Sequence, residues 1–197
     1  MNGDKYIKRE IYLKRLIDRR DNGEVKIITG PRRSGKSWLL KKIYRDYLLN
    51  DGVSDSNIIA VSFDMDDDAS SLDLRAPEAL KSYLYGKITS ETENYYVFLD
   101  EIQEVEGFER IVNGLNARDN VDVYITGSNS KMLSKDILTE FRGRGWEIRV
   151  HPLSFAEYFD GVGGDKSDAL RTYYAFGGLP QVVLMNSREE KQAFLKN

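Results

Sequence analysis

The sequence predicts an α/β fold in which a parallel β-sheet lies between two layers of helices. Short apolar runs alternate along the chain with segments whose apolar residues recur at helical spacing, a pattern typical of such sheets. One run, Tyr95-Tyr96-Val97-Phe98-Leu99, is apolar throughout, as expected for a strand buried on both faces. With 197 residues, 41% of them hydrophobic and 31% charged, the chain is long enough to bury a core and is neither disordered nor membrane-spanning in composition.

The first half of the chain supplies two strands and three helices. A helix is predicted over residues 6–20, with Ile7, Ile11 and Leu16 on its apolar stripe and Gly23 at its end. The β-branched run Val25–Thr29 predicts the first strand, and helical spacing predicts a helix over 38–49. The second strand is predicted over 57–63. A helix over 77–88 follows, because Pro77 suits a first helical position.

The second half supplies three more strands, at 95–99, 121–126 and 146–150, with a helix over 108–115 between the first two. After Pro152 no further strand pattern is convincing. Capping boxes begin helices at Ser154 and Ser187, another helix covers 167–176, and Gly177-Gly178-Leu179-Pro180 begins one more. We therefore interpret residues 1–152 as the core and 153–197 as the beginning of a small helical lid, cut off before it is complete.

The strongest motif lies directly after the first strand, where Gly30-Pro31-Arg32-Arg33-Ser34-Gly35-Lys36-Ser37 matches the phosphate-binding loop G-x-x-x-x-G-K-[ST]. A strand before it and a helix beginning at Trp38 give the context in which backbone N–H groups surround a polyphosphate. We predict that the loop and Trp38 bind a nucleoside triphosphate. Lys36 is expected at the terminal phosphates and the Ser37 hydroxyl on Mg²⁺. Arg32 and Arg33, at variable positions, are expected to face solvent or a partner.

A second motif ends the third strand with the pair Asp100-Glu101. An apolar strand that ends in Asp-Glu is typical of one branch of phosphate-loop ATPases. Asp100 is predicted to hold Mg²⁺, usually through a water molecule, and Glu101 to polarise the attacking water as a general base.

Two further pairs are candidates for catalysis. Ser128 and Asn129 follow the fourth strand, where a polar side chain near the γ-phosphate can orient the lytic water; the sequence does not choose between them. Arg142 and Arg144 precede the fifth strand. One of them, with Arg144 favoured, is predicted to stabilise charge on the transferred phosphoryl group, within one chain or across a subunit boundary.

Composition excludes several other classes of protein. One histidine, His151, and no cysteine argue against histidine or thiolate metal sites, and the lack of cysteine fits a cytoplasmic protein. A net charge of −3 gives no basic footprint for nucleic acid in this segment. The acidic run 64–68 lacks the spacing of a calcium loop and is interpreted as a solvated loop. No guanine-reading Asn-Lys-x-Asp follows the phosphate loop, which favours ATP by elimination.

Together these motifs resemble the AAA+ class of ATPases, and more narrowly a bacterial and archaeal group of predicted ATPases in that superfamily. The resemblance covers nearly the whole chain and rests on residues 30–37, 97–101, 125–129, 143–144, 151–158 and 173–180. It implies a three-layer P-loop NTPase core with strand order 5-1-4-3-2 and a helical lid. Similarity to signalling ATPases of the STAND type implies that Pro180 contacts the nucleotide. The same similarity is weaker at Ile7-Lys8-Arg9-Glu10, where Lys8 replaces the glycine of a box near the adenine.

Members of the similar group are usually much longer, so we expect a fragment that carries the nucleotide domain, with any nucleic-acid contact in a missing C-terminal region. The leading hypothesis is an Mg²⁺-dependent ATPase with no membrane contact, for which both a single subunit and a homo-oligomer are left open. The alternative is a regulatory switch that stays loaded with nucleotide and hydrolyses rarely. A small-molecule kinase is disfavoured, because Asp100-Glu101 suits water activation and no acceptor pocket is marked.

Overall fold

The computed structural model describes residues 7–63, 73–128, 132, 139–141 and 143–196. Its five parallel strands form one sheet in the order β2-β3-β4-β1-β5. This is the expected order 5-1-4-3-2, counted from the other edge. The strands are β1 (Val25–Thr29), β2 (Ile58–Ser62), β3 (Tyr95–Asp100), β4 (Val121–Gly127) and β5 (Gly145–Arg149).

The helices that the structure describes lie close to their predicted positions. They are α1 (Glu10–Ile17), α2 (Lys36–Trp38), α3 (Arg45–Asn50), α4 (Pro77–Lys87), α5 (Phe108–Asn116), α6 (Phe155–Val162), α7 (Lys166–Phe176), α8 (Pro180–Leu184) and α9 (Arg188–Lys196). A π-helical segment, Leu39–Tyr44, joins α2 to α3. Both predicted capping boxes are present, at Ser154 with Glu157 and at Ser187 with Glu190.

The prediction for the first helix is wrong at its start. Of the described residues, 7–9 are not helical, and α1 begins at Glu10. The Arg9 backbone at the start of α1 is not helical, and its side chain is buried and donates to the carbonyl oxygens of Ser34 and His151. Ile11 is 65% exposed and does not belong to the stripe that faces the core, whereas Leu16 is fully buried.

The sheet is covered on both faces, because successive strand residues point to opposite sides. In β1, Ile27 belongs to the apolar cluster beneath α4 and α5, whereas Ile28 belongs to the cluster beneath α1 and the helical segment 36–50. A third, smaller cluster joins Ile7 and Leu153 to helices α6–α8. This arrangement confirms the predicted three-layer fold and leaves the carboxyl ends of the strands free to carry a site.

A buried polar network lies between the sheet and the helical segment 36–50. The ammonium group of Lys26 pairs with Asp122, whose carboxylate also accepts the Tyr124 hydroxyl at 2.6 Å. Tyr44 and Tyr124 share a hydrogen bond of 2.6 Å. Burial lowers the pKa of Lys26 and raises the pKa of Tyr44 and Tyr124, since it disfavours the charged form of each group.

These shifts predict loss of stability at alkaline pH. Tyrosines of the unfolded chain ionise near pH 10, whereas burial keeps Tyr44 and Tyr124 protonated and raises the pKa of Tyr96 to about 12. The stabilisation is complete below pH 10 and decreases as pH rises above it, by up to about 1.4 kcal/mol per pH unit for each tyrosine. The lowered pKa of Lys26 has the opposite effect, because its contribution to stability rises with pH. This effect is confined to pH values below the ordinary lysine pKa of 10.5, so it does not offset the loss above that pH.

The measurement is the free energy of unfolding in urea between pH 9.5 and 11.5. Tyr96→Phe is expected to reduce the slope above pH 10.5 by roughly one proton. Tyr174→Phe is the control, because Tyr174 is 81% exposed. If the free energy of unfolding falls with pH equally steeply in Tyr96→Phe and in the unsubstituted protein, the raised pKa of Tyr96 is contradicted.

Candidate nucleotide-binding site

A cavity of about 1170 Å³ lies at the carboxyl end of the sheet, where the phosphate-loop motif joins β1 to α2. Lys36, Ser37 and Glu101 line its floor, and Ile7, Leu153, Pro180 and Leu184 give it an apolar side. An apolar wall with a few converging polar groups is typical of a ligand site.

The backbone of the phosphate loop has a shape that its glycines permit. Gly30 has φ +143°, and a Cβ there would lie 2.1 Å from the Val150 carbonyl oxygen, so no other residue fits without displacing the chain just after β5. Gly35 has φ +94°, immediately before α2. Lys36 is buried and donates to the carbonyl oxygens of Gly30 at 3.1 Å and Pro31 at 3.2 Å. Its ammonium group therefore lies over the loop, where phosphates would be bound.

The Asp100 carboxylate is fully buried and accepts contacts on both oxygens. Oδ1 accepts the hydroxyls of Ser37 at 2.9 Å and Thr126 at 2.6 Å. Oδ2 accepts the Ser62 hydroxyl at 3.1 Å and lies 3.1 Å from the Lys41 ammonium nitrogen. The two predicted metal ligands, Ser37 and Asp100, are thus in direct contact.

Glu101 follows β3 in the left-handed region, with φ +54°, which directs its side chain towards the cavity. Its Oε2 accepts from Gln103 Nε2 at 2.6 Å and from the Ser128 hydroxyl at 2.9 Å. Its Oε1 lies 3.5 Å from Lys36 Nζ. The candidate base, the phosphate-loop lysine and Ser128 therefore form one group.

The fourth strand joins the two motifs. β4 lies between β3 and β1, as expected, and its Thr126 accepts the Glu101 backbone N–H at 2.9 Å while donating to Asp100. Ser128 reaches Glu101 from the end of the same strand. Asn129 lies outside the described residues, so the choice between Ser128 and Asn129 stays open.

The outer residues of the phosphate loop are exposed, and one of them contacts the last helix of the chain that the structure describes. Arg32 and Arg33 are exposed, as predicted, and both line the cavity. The Arg33 guanidinium stacks 4.3 Å above the Phe194 ring and donates to its carbonyl at 3.3 Å, which connects the loop to α9. Trp38, 46% exposed, also lines the cavity.

The Gly-Gly-Leu-Pro turn places Pro180 beside the phosphate loop. A Cβ on Gly178 would lie 2.1 Å from the Leu153 carbonyl oxygen, and the Leu153 N–H donates to Gly178 at 2.7 Å. The Pro180 ring approaches Gly35 so closely that a Cβ there would lie 3.4 Å from it. Pro180 therefore forms part of the cavity wall.

Sequence reasoning named Arg9 only within a weakly similar segment near the adenine and did not predict its contacts in this site. Arg9 is buried and donates to the carbonyl oxygens of Ser34 at 3.2 Å and His151 at 2.6 Å. Its Nε lies 3.0 Å from Glu157 Oε1. Arg9 therefore holds the phosphate loop, the chain after β5 and helix α6 together. Burial of a charge is the feature that marks it, and only tertiary structure reveals burial.

Arg144 lies at the amino ends of the strands, whereas the phosphate loop lies at their carboxyl ends. Gly145 pairs with Val25, the first residue of β1, and the Val25 N–H donates to the Arg144 carbonyl at 2.7 Å. The five residues of β1 span about 16 Å, more than one arginine side chain reaches. In this structure Arg144 is therefore too far from the phosphate loop of its own chain to contact phosphate there, and action across a subunit boundary stays a prediction. Arg142 lies outside the described residues, as does the acidic run 64–68.

Other expectations concern metals and membranes. His151 is exposed, and its backbone N–H and carbonyl bond Tyr12 and Arg9, in keeping with a structural role. Within the described ranges, no group of three or more histidine, cysteine, aspartate or glutamate side chains is arranged to hold a metal ion. In the same part of the chain, none of the helices combines the length and apolar character that crossing a membrane requires.

The sheet order, the loop after β1 and the Asp-Glu pair after β3 define a P-loop domain of the AAA+ type. The sequence model of the AAA domain family matches residues 22–159, and the chain belongs to this family.

Relatives agree with this assignment. An uncharacterized protein from Haemophilus influenzae is 39% identical over 183 residues, which cover 90% of this chain and 45% of that protein. An uncharacterized protein from Methanocaldococcus jannaschii is 29% identical over 98% of this chain and 42% of its own length. The chain thus spans less than half the length of these relatives.

Solved structures share the fold. Cdc6p from Pyrobaculum aerophilum has a TM-score of 0.54 at 12% identity, over 86% of this chain and 52% of that one. C. elegans PCH-2 has a TM-score of 0.52 at 14% identity, over 91% and 48%. A DNA replication initiation factor has a TM-score of 0.51 at 15% identity, over 100% and 64%.

Proposed function

We propose that this domain binds ATP with Mg²⁺ and hydrolyses it to ADP and phosphate. The observation that carries the proposal is the convergence of Lys36, Ser37, Asp100 and Glu101 at the carboxyl end of three neighbouring strands. These groups are the parts that phosphoryl transfer to water requires: a positive charge that binds the phosphates, two metal ligands and a base.

The residues present fit a magnesium ion. Mg²⁺ prefers oxygen ligands and usually keeps several waters, with one or two protein groups and the substrate phosphates completing its shell. The Ser37 hydroxyl and the Asp100 carboxylate, 2.9 Å apart beside the phosphate loop, supply those groups. When bound, Mg²⁺ would neutralise charge that develops on the phosphates.

Glu101 is the group that takes a proton from the attacking water. Its carboxylate lies beside Lys36, so a water near the γ-phosphate would be within its reach. Gln103 and Ser128 orient the carboxylate from the other side. The proton would pass from water to a Glu101 oxygen while the new oxygen–phosphorus bond forms and the bond to ADP breaks.

A regulatory switch is the second candidate, and the same contacts favour it. Glu101 is engaged by Gln103, Ser128 and Lys36, so a conformational change that releases one of them would start hydrolysis. The Arg33–Phe194 contact would carry the state of the loop to α9 and to any C-terminal region. Tight ATP binding with a low rate at every protein concentration would favour the switch.

Phosphate release from Mg-ATP, measured per subunit as protein concentration rises, tests the ATPase proposal. A rate that increases with concentration would support an oligomer whose subunits complete each other's sites. The same assay with GTP tests the preference for adenine. No release and no nucleotide binding would overturn both candidates.

Arg144 is proposed to act on a neighbouring subunit. Arg144→Ala is expected to lower the turnover rate about 10³-fold or more while ATP affinity changes little, since the guanidinium stabilises charge in the transition state. Arg171→Ala, on an exposed lid helix, is the control. Unchanged turnover in Arg144→Ala would exclude this arginine.

A mixture of Lys36→Ala and Arg144→Ala proteins tests action across the boundary directly. Recovered activity would also show that both proteins are folded. Lys36→Ala subunits keep Arg144, and Arg144→Ala subunits keep the phosphate loop. An equimolar mixture is expected to recover part of the activity. A mixture as inactive as its components would contradict action across the boundary.

A further inference from the structure

We propose that Lys41 is the resident counter-ion of the Asp100 carboxylate and a positioning residue that limits how tightly the site holds a divalent cation. The inference deepens the proposed function and rests on it. Lys41 belongs to neither nucleotide motif, yet its ammonium nitrogen lies 3.1 Å from Asp100 Oδ2.

Lys41, Ser62 and Asp100 form a closed group at one side of the carboxylate. Lys41 Nζ donates to the Ser62 hydroxyl at 3.0 Å, and Ser62 donates to Asp100 Oδ2 at 3.1 Å. The ammonium group is therefore held both by Asp100 Oδ2 directly and by Ser62, which itself donates to the same oxygen.

The two oxygens of Asp100 therefore have different neighbours. Oδ1 faces the hydroxyls of Ser37 and Thr126, on the side where the phosphate loop begins its helix. Oδ2 faces Lys41, which follows Ser37 by one helical turn. A metal ion held between Ser37 and Asp100 would share the carboxylate with the ammonium group.

The positive charge of Lys41 then has opposite effects on the stability of the metal-free protein and on the affinity for a metal. A fully buried carboxylate is costly unless it is paired, so Lys41 stabilises the metal-free protein. A divalent cation at the same carboxylate is repelled by the ammonium group, so Lys41 weakens metal binding. The Lys41 side chain is 36% exposed, which gives its ammonium group a path into water when the metal arrives.

The test compares Lys41→Met with Lys42→Met. Lys42 is the next residue on the same helix and pairs with Asp46 at 3.3 Å on the surface, so it is a matched control. In EDTA and without nucleotide, Lys41→Met is expected to lower the unfolding temperature by several degrees more than Lys42→Met. Lys41→Gln is the second variant if Lys41→Met does not fold.

Metal affinity is the second measurement. If Lys41 had only a structural role, replacing it would not tighten metal binding. Mn²⁺ is titrated into protein saturated with ADP, and free Mn²⁺ is followed by electron paramagnetic resonance. Lys41→Met is expected to bind Mn²⁺ roughly three- to tenfold more tightly than the unsubstituted protein, a tenfold change being about 1.4 kcal/mol. Lys41→Arg keeps the charge and is expected to keep the original affinity.

Two results would overturn the inference: Lys41→Met equal to Lys42→Met in both measurements, or weaker Mn²⁺ binding by Lys41→Met. If the unsubstituted protein binds neither ADP nor Mn²⁺ with ADP, the proposed function fails instead. The unfolding measurement in EDTA still decides whether Lys41 is the counter-ion of Asp100.

Discussion

Replacing Lys36 by alanine is expected to reduce ATP affinity by roughly 10- to 150-fold. A hydrogen bond from an ammonium group to a phosphate contributes about 1.5–3 kcal/mol, and each 1.4 kcal/mol is a factor of ten. Lys36 is buried above the loop with two carbonyl oxygens as partners, so its ammonium group is already placed for phosphate and loses little entropy on binding.

Isothermal titration with ATP and Mg²⁺ measures this effect, and Lys42→Ala is the control on the same helix. The unfolding temperature of Lys36→Ala must be recorded as well, because the lysine also bonds Gly30 and Pro31. A folded Lys36→Ala protein with undiminished affinity would refute the phosphate-loop assignment.

Replacing Glu101 by glutamine is expected to leave ATP binding nearly unchanged and to slow hydrolysis by about 10²–10⁴-fold, the usual contribution of a general base. The amide oxygen of the new side chain is able to accept the bonds from Gln103 and Ser128. The shape of the site is therefore preserved, while the amide is unable to take a proton from water.

Single-turnover hydrolysis and equilibrium binding, measured on the same preparation, separate the two effects. Glu106→Gln is the control, since Glu106 is an exposed residue just beyond the same turn. Loss of binding together with hydrolysis would mean that Glu101 is a structural residue. Retained hydrolysis would move the base to another group.

The sequence predicted those parts of the site that lie in contiguous motifs. The phosphate loop is recognisable because Gly30 and Gly35 meet backbone requirements that few other residues meet, and Asp100-Glu101 because the pair follows an apolar strand in a chain that already carries the phosphate loop. Four of the strands were predicted because their mostly apolar runs are buried by layers on both faces, whereas β5 is a partly exposed strand at the edge of the sheet.

Contacts between distant segments were not predictable in the same way. Arg9 reaches Ser34 and Glu157, which only the folded chain brings near it. The position of Arg144 was predictable in principle, because a residue that precedes a parallel strand lies at the amino edge of the sheet. Lys41 also had a signal, since residues four apart on a helix share a face and Ser37 was already assigned to the metal.

The Thr126 hydroxyl serves the two carboxylate residues at once, donating to Asp100 while accepting the backbone N–H of Glu101. Substitutions at these three positions are therefore expected to be epistatic. Once Thr126→Val has broken both bonds, the penalty of a second change at Asp100 or Glu101 differs from its penalty alone. A pairwise mutational scan of the domain would show non-additive effects for every pair among the three residues.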